Sequence, residues 1–231
     1  MDSDAGSASY VNPEPLVHII DDDVNIRDGL SELLASANLE CQTYSSAMEL
    51  LARPLAQRPS CLVLDVRMPG GGGLELQAQL NALGEGLPII FMTGYGDVES
   101  CVRAMKLGAV EFLTKPFQDK EMLDAITLAL GRDRMRRARL ATLDAMSRML
   151  ETLTKREAEV MWLVVDGLAN KQIAFEMGIT EVTVKLHRGK VMQKMMASSL
   201  ADLVKKAGIL RESQAATASL SETGHGVSMP G

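Results

Sequence analysis

The clearest indication of the fold of this 231-residue chain begins with the segment Cys61-Leu62-Val63-Leu64-Asp65-Val66-Arg67-Met68-Pro69. A short apolar run ends on one carboxylate, and the proline shortly after it indicates a turn. This pattern predicts a buried strand that delivers Asp65 to the edge of a sheet. One such strand is weak evidence by itself, so its meaning depends on the rest of the chain.

Three other apolar runs end in the same way. They are Val17-His18-Ile19-Ile20 before Asp21-Asp22-Asp23, Pro88-Ile89-Ile90-Phe91-Met92 before Thr93-Gly94, and Val110-Glu111-Phe112-Leu113-Thr114 before Lys115-Pro116-Phe117. The carboxyl ends of parallel strands form the edge at which open α/β sheets bind ligands. The acids, the hydroxyl and the amine are therefore expected to meet in one site.

Strands and helices alternate through the first half of the chain. Strands are predicted near 16–20, 41–44, 61–65, 88–93 and 110–115, with helices near 24–37, 46–52, 74–83, 97–107 and 119–130. This alternation predicts βαβ crossovers and a doubly wound, five-stranded parallel sheet.

The acids at the predicted sheet edge need a cation, because carboxylates close in space repel one another. Mg²⁺, a hard ion that prefers oxygen ligands, suits them. A carboxylate beside Mg²⁺, a lysine and a hydroxyl is a place for a phosphoryl group, which the carboxylate oxygen can attack in line.

The second half of the chain is helical and basic. Helices are predicted at 155–166, 170–177, 181–195 and 199–207, the first two capped by Thr154 and Asn170. Residues 16–130 carry 8 basic and 16 acidic side chains, whereas residues 131–210 carry 15 basic and 9 acidic ones. The basic excess suggests a polyanionic partner for this half.

Composition and periodicity set the remaining boundaries. We expect a disordered arm at 1–15, a helical linker at 131–150 and a disordered tail at 211–231. The linker has heptad-like apolar spacing, so it either pairs in a dimer or lies against the following domain. The sequence has no long apolar run and no signal peptide, so no membrane partner and a cytoplasmic location are expected. The three cysteines have no paired spacing, which favours buried thiols.

The strand-end residues resemble the receiver domain of bacterial two-component response regulators over 16–130. The resemblance implies a flavodoxin-like fold, phosphorylation of Asp65 by a sensor histidine kinase, and phosphoryl contacts from Thr93 and Lys115. It makes Phe112 an aromatic switch residue. It implies Mg²⁺ ligands from Asp21, Asp22, Asp65 and the backbone carbonyl of Arg67. The apolar run ends at Ile20, so Asp23 is taken as the less essential third acid.

Residues 151–210 resemble the LuxR-type helix-turn-helix DNA-binding domain. The matching segments are Leu153-Thr154-Lys155-Arg156-Glu157, Gly167-Leu168-Ala169-Asn170-Lys171-Gln172-Ile173-Ala174 and Thr183-Val184-Lys185-Leu186-His187-Arg188. Both resemblances together imply a transcriptional regulator of the FixJ/NarL family, closest to the FixJ branch. The resemblance further implies a homodimer on phosphorylation and binding to promoter DNA, with RNA polymerase as a further candidate partner.

The third helix of this domain is expected to read the major groove. Lys185, Leu186 and Gly189 share a face suited to base edges, while Val184, Val191 and Met195 pack inward. Phosphate contacts are expected from Lys171, Thr183, Arg188, Lys190 and Lys194.

Two other functions are weighed against this one. A haloacid-dehalogenase-type phosphatase needs an acid two residues after its nucleophile, and Arg67 stands there, so the chain is not expected to be an enzyme. A phosphate sink or protein-interaction switch without DNA-binding output stays open as the alternative. Gly70-Gly71-Gly72-Gly73 departs from the family's usual loop and either loosens the site or has no effect.

Overall fold

The computed structural model describes residues 13–68, 72–84, 86–94 and 98–223. The chain divides into two compact units at the Arg137–Ala138 bond. The predicted arm lies outside the described residues except for residues 13–15. No helix within the described ranges is both long and apolar enough to cross a membrane.

The first unit is built on a five-stranded parallel sheet with strand order β2-β1-β3-β4-β5. The strands are β1 (Leu16–Ile20), β2 (Glu40–Tyr44), β3 (Ser60–Asp65), β4 (Ile89–Thr93) and β5 (Glu111–Thr114). The order changes direction between β1 and β3, and such switch points are where doubly wound sheets bind ligands. The predicted fold class is confirmed.

Helices cover both faces of this sheet. They are α1 (Val24–Ser36), α2 (Ala47–Leu51), α3 (Gly73–Ala82), α4 (Val98–Lys106) and the first part of α5 (Asp119–Glu151). The central strands β1, β3 and β4 are apolar at most positions because successive side chains point to opposite, equally covered faces. On β3, Val63 packs with α1 and α5, whereas Leu62 and Leu64 pack with α3.

Helix α5 continues well past the predicted end of the receiver-like segment. It runs for 33 residues without a break, so the expected separate linker helix at 131–150 is part of it. Its inner face includes Asp133, which is fully buried and forms ion pairs with Arg136 and Arg137 at 2.7 and 2.6 Å. The Asp133 carboxylate also accepts the backbone N–H of Ser60 at 2.9 Å, which attaches α5 to the first residue of β3.

The second unit is helical throughout its described part. After the end of α5 come α6 (Lys155–Val165), α7 (Asn170–Met177), α8 (Glu181–Lys194) and α9 (Leu200–Thr223). Their apolar faces form one core around Val160, Ile173 and Val191. Met146, Met149 and Leu150 of α5 pack against this core, in agreement with one of the two expectations for the linker.

Two expectations for this unit are wrong. Helix α7 has Ala169, not Asn170, at its N-cap, and Gln172 accepts the Ala169 N–H at 2.8 Å. Helix α9 continues to Thr223, so residues 211–223 are helical rather than disordered. Residues 214–223 are rich in Ala and other helix formers, which lets a helix already nucleated by packing continue. The end of the predicted tail, 224–231, lies outside the described residues.

Candidate functional site

Three carboxylates meet at the carboxyl edge of the sheet. Asp21, Asp22 and Asp65 each offer one oxygen atom, and these atoms lie within 4.8 Å of one another. Asp21 is 1% exposed and Asp65 is 9% exposed, while Asp22 is open to solvent. The prediction that separate strand ends bring these acids together is confirmed, and the set suits a hard cation.

The Lys115 ammonium lies between two of these acids. Its Nζ donates to Asp21 Oδ2 at 2.7 Å and to Asp65 Oδ2 at 2.5 Å. Burial alone would lower the pKa of Lys115, but both carboxylates stabilise the ammonium and the pKa is raised. Burial raises the pKa of Asp21 and outweighs the opposing effect of Lys115. Lys115 precedes Pro116 through a cis peptide bond.

The structure separates the roles of the three consecutive aspartates. Asp23 is the N-cap of α1, and its carboxylate accepts the backbone N–H of Asn25 at 2.8 Å. That hydrogen bond lowers the pKa of Asp23. Asp21 accepts the Asp23 N–H at 2.9 Å, which orients it toward the cluster. The register chosen from the sequence, with Asp21 and Asp22 as the paired acids, agrees with this arrangement.

Thr93 and Phe112 lie on β4 and β5. Thr93 is 2% exposed, and its buried hydroxyl oxygen has no hydrogen-bond partner within the described part of the chain. A buried hydroxyl without a partner is costly, so this one is poised for a group that can fill the site. Phe112 is half-buried, with its ring centroid 6.3 Å from that of Phe91.

The loop after β3 is held close to Asp65. The Arg67 N–H donates to Asp65 Oδ1 at 2.8 Å, and the Gly73 N–H donates to the Val66 carbonyl at 3.1 Å. A Cβ atom at Gly73 would lie 2.5 Å from the Asp65 carbonyl oxygen and 3.0 Å from Phe91. One glycine of the predicted loop is therefore required by packing, whereas Gly70 and Gly71 lie outside the described residues.

Helix α8 of the second unit presents an exposed face. Val184, Val191 and Met195 are buried as predicted. Lys185, Leu186, Gly189 and Lys190 are exposed, and Lys171 is exposed on α7. Val182 and Leu186 remain 76% and 59% exposed despite their apolar side chains. An exposed helix face of mixed basic and apolar residues is the kind that enters a DNA groove.

Three of the predicted phosphate contacts are engaged within the unit itself. Arg188 donates to Asn170 at 2.8 Å, and the Thr183 hydroxyl lies 2.9 Å from that of Thr180 in the α8 cap. Lys194 is bound more firmly, because its Nζ donates to Glu157 at 2.6 Å and to the Thr152 carbonyl at 2.9 Å. The Lys194 ammonium thus holds α8 to α6, and a DNA phosphate would have to displace both of these partners to bind it.

Sequence reasoning missed the partner that holds Lys194. The cap predicted at Thr154 is confirmed, and Glu157 completes it as a capping box at the start of α6. Its carboxylate is 3% exposed, and the Lys194 ammonium, with the Thr154 N–H, lowers its pKa to about 2. The two residues are 37 positions apart, and no local spacing pattern reports such a pair.

Comparison with known proteins agrees with this arrangement. Residues 17–127 match the response regulator receiver domain family, and residues 151–207 match the luxR family of bacterial regulatory proteins. Nodulation protein W of Bradyrhizobium diazoefficiens is 48% identical over 200 residues, which cover 87% of this chain and 88% of that protein. Transcriptional regulatory protein FixJ of Azorhizobium caulinodans is 43% identical over 196 residues, which cover 84% of this chain and 93% of that protein.

Solved structures point the same way. The structure of the response regulator StyR matches with a TM-score of 0.75 and 47% sequence identity, and the match covers 84% of this chain and 98% of the StyR chain. Each of these relatives is matched over at least 88% of its own length, so the similarity extends across both units of the chain. The chain therefore belongs to the response regulators of the FixJ/NarL family, and it is a phosphorylation-controlled transcriptional regulator with a receiver domain and a LuxR-type DNA-binding domain.

Proposed function

We propose that Asp65 is the phosphoacceptor and that its phosphorylation controls binding of the exposed face of α8 to promoter DNA. One observation carries the proposal: the Lys115 ammonium binds the Asp65 carboxylate at the acidic edge of the sheet, and the Thr93 hydroxyl, at the end of the neighbouring strand β4, has no hydrogen-bond partner within the described residues. A nucleophile, a positive charge and a free donor are the groups that phosphoryl transfer requires.

The donor in this proposal is a phosphohistidine of a sensor histidine kinase. An Asp65 oxygen forms a bond to phosphorus while the bond from phosphorus to the imidazole nitrogen breaks. Lys115 and Thr93 then bind oxygens of the transferred group and stabilise the charge that develops on them. The Arg67 N–H already fixes the Asp65 carboxylate by donating to its Oδ1.

Mg²⁺ is the proposed cofactor of this site. Asp21, Asp22, Asp65 and the backbone carbonyl of Arg67 would hold it, since together they offer only oxygen atoms. When bound, the ion neutralises the carboxylates and the phosphoryl oxygens. The buried position of Asp21 fits this role, because a nearby cation compensates the cost of keeping its carboxylate ionised.

Thr93 and Phe112 are the proposed links from the phosphate to the rest of the receiver. The Thr93 hydroxyl gains its missing partner when it binds a phosphoryl oxygen, and the space it leaves allows the half-buried Phe112 ring to turn inward. The neighbouring α4 exposes Val102 and Met105 by 48% and 46%. We propose that this surface of α4 and β5 forms the homodimer contact.

On α8, we assign base-edge contacts to Lys185, Leu186 and Gly189. Lys171, Thr183, Arg188 and Lys190 are assigned to phosphates, with Arg188 and Thr183 exchanging partners on binding. Contact with RNA polymerase and a cytoplasmic location are further parts of the proposal, and both rest on DNA binding. The proposal assigns the chain no small-molecule substrate.

Phosphotransfer to the Asp65→Asn variant tests the assignment. With a labelled phosphodonor and Mg²⁺, the wild type should acquire hydroxylamine-labile phosphate and Asp65→Asn should acquire none, because the amide is not a nucleophile. Asp28→Asn, which changes an exposed acid on α1, should label like the wild type. Equal labelling of Asp65→Asn and the wild type contradicts the site. Mobility-shift assays with and without phosphorylation separate DNA-binding output from a phosphate sink.

A further inference from the structure

The segment between β1 and α1 carries two of the three clustered acids, and Arg27 holds its backbone. Arg27 is the fourth residue of α1, and its side chain is half-buried. Its Nη1 donates to the Asp21 carbonyl oxygen at 2.6 Å and to the Asp22 carbonyl oxygen at 3.1 Å. This nitrogen carries two protons, so it can donate to both oxygens at once. Arg27 thus binds two consecutive peptide groups of the segment.

These two hydrogen bonds matter most for Asp22. The carboxylates of Asp21 and Asp65 are each bound by Lys115, at 2.7 and 2.5 Å, and each also accepts a backbone N–H. The Asp22 carboxylate is exposed, and no described residue donates a hydrogen bond to it. One of its oxygen atoms nevertheless lies within 4.8 Å of oxygens of the other two acids. The position of this carboxylate therefore depends on the backbone of Asp22, which Arg27 binds.

The positive charge of Arg27 and its hydrogen bonds have opposite effects on a bound cation. Arg27 forms no ion pair within the described part of the chain, so its charge does not come from a partner of the acids. By charge alone, a guanidinium near the cluster repels a divalent ion and weakens its binding. By orientation it strengthens binding, since groups that fix metal ligands typically contribute about 10- to 100-fold to metal affinity. The sign of the change on removing Arg27 therefore separates the two effects.

We propose that Arg27 is a positioning residue of the cation site, which holds the Asp22 carboxylate in place for Mg²⁺ by fixing the carbonyls of Asp21 and Asp22. This inference rests on the proposed function, in which the ion binds at the acidic cluster. Arg27 acts through Asp22 and contacts neither the ion nor the phosphoryl group. Charge-assisted hydrogen bonds of this kind are stronger than neutral ones, which suits a role in holding an exposed ligand.

The test is a calorimetric titration of the full-length protein with Mg²⁺. Arg27→Met keeps a side chain of similar length and removes both the donors and the charge. It should bind Mg²⁺ about tenfold more weakly than the wild type. Arg132→Met removes the same charge from an exposed position on α5 and should bind like the wild type. If Arg27→Met binds Mg²⁺ as tightly as the wild type, or more tightly, the proposal is overturned.

The Mg²⁺ dependence of phosphotransfer distinguishes positioning from a general structural role. Arg27→Met should need about tenfold more Mg²⁺ for its half-maximal rate. At saturating Mg²⁺ the rate should equal that of the wild type, because Asp65 and Lys115 are unchanged. A lower saturating rate with an unchanged Mg²⁺ requirement assigns Arg27 to the stability of the fold and contradicts the proposal.

A double-mutant cycle tests whether Arg27 acts through Asp22. In the Asp22→Ala background, Arg27→Met should weaken Mg²⁺ binding no further, because the ligand that it positions is gone. Additive losses would show that Arg27 acts elsewhere. If Arg27→Met fails to fold, Arg27→Lys gives the same decision: its side chain is one bond shorter, so it should bind Mg²⁺ more weakly than the wild type although it keeps the charge.

The outcomes also separate this inference from the proposed function. A wild type that binds no Mg²⁺ and acquires no phosphate on Asp65 overturns both. A wild type that binds Mg²⁺ and is phosphorylated, together with an Arg27→Met variant of unchanged Mg²⁺ affinity, leaves the proposed function intact and removes only the role of Arg27.

Discussion

At the residue scale, the acidic site could be predicted because it follows from topology. Parallel strands end at one edge, so residues that directly follow buried apolar runs must be neighbours. Asp21, Asp65 and Lys115 were found in this way. The separate roles of the three consecutive aspartates are harder to predict, because Asp23 is the N-cap of α1 and this role depends on where the helix begins. The pairing of Glu157 with Lys194 could not be found from the sequence, because it depends on how α6 and α8 pack.

Lys115 competes with a divalent cation for the same carboxylate oxygens. Lys115→Ala should therefore bind Mg²⁺ more tightly than the wild type, which isothermal titration calorimetry measures. The same change should slow phosphotransfer roughly 100-fold, because one stabilising charge is lost from the transition state. Rapid-quench kinetics measures this rate, with exposed Lys120→Ala as the control. A variant that transfers phosphate as fast as the wild type excludes the proposed role of Lys115.

Gly73 cannot accept a side chain without displacing backbone. In Gly73→Ala, the Cβ atom would lie 2.5 Å from the Asp65 carbonyl oxygen, so we expect a loss of about 1–3 kcal/mol in the free energy of unfolding. Gly72→Ala is the matched control, because the nearest atom there is 3.1 Å away and belongs to the flexible Glu75 side chain. Urea denaturation measures both. Equal stability of the two variants contradicts the packing argument.

At the scale of elements, helices and strands were predicted well where a capping residue or the end of an apolar run marks their limits. The cap of α6 at Thr154 is a local pattern and was predicted, and the ends of the predicted strands agree with the structure to within about one residue. The lengths of α5 and α9 were underestimated, because a change in composition was taken for the end of a helix. In α5 the basic segment after Leu130 continues the same helix, with Asp133 on the buried side.

The ion pair between Glu157 and Lys194 should make the second unit sensitive to acid. The pKa of Glu157 is about 2 in the folded protein, against 4.5 for the free side chain. A lowered pKa stabilises the folded state fully above pH 4.5, and the contribution is lost as pH falls through 2. Glu157→Gln should therefore be less stable than the wild type at pH 6, and the difference should shrink steadily below pH 4.5.

Chemical denaturation at a series of pH values measures this difference. Glu159→Gln is the control, since Glu159 pairs with Arg156 at an exposed position, where ion pairs contribute little. A stability difference between Glu157→Gln and the wild type that stays constant from pH 6 to pH 2 argues against an ionised, paired Glu157.

At the scale of the whole molecule, the uneven charge along the chain agrees with two domains that have different partners. The receiver half is acidic around a cation site, while the helical half has the basic excess that a polyanion requires. Fold class and function could be predicted because each domain carries several separated motifs. The internal pairing of Lys194 with Glu157 could not, since Lys194 looks the same in sequence as the exposed Lys190.

Lys185 and Lys190 should affect DNA binding in different ways. Lys185→Ala removes a donor to base edges, so it should relax the preference at one position by about 1–3 kcal/mol. Lys190→Ala removes a phosphate contact, so it should weaken all sequences alike and reduce the salt slope by about one. Fluorescence anisotropy on an operator selected from the genome, at several salt concentrations, measures both. Indistinguishable sequence profiles and salt slopes would refute this assignment.

Strand β3 is fixed at its first residue and along both sides, which limits how phosphorylation of Asp65 can affect the rest of the receiver. Its first residue is attached to α5 through Asp133, and its edges pair with β1 and β4. Sliding β3 would break these hydrogen bonds together, so we expect this strand to serve as the stationary reference of the receiver. The outer strand β5, which pairs on one side only, has the freedom to shift. Asp65 lies on this immobile strand, so we expect the effect of its phosphorylation to pass across the sheet through β4 to β5.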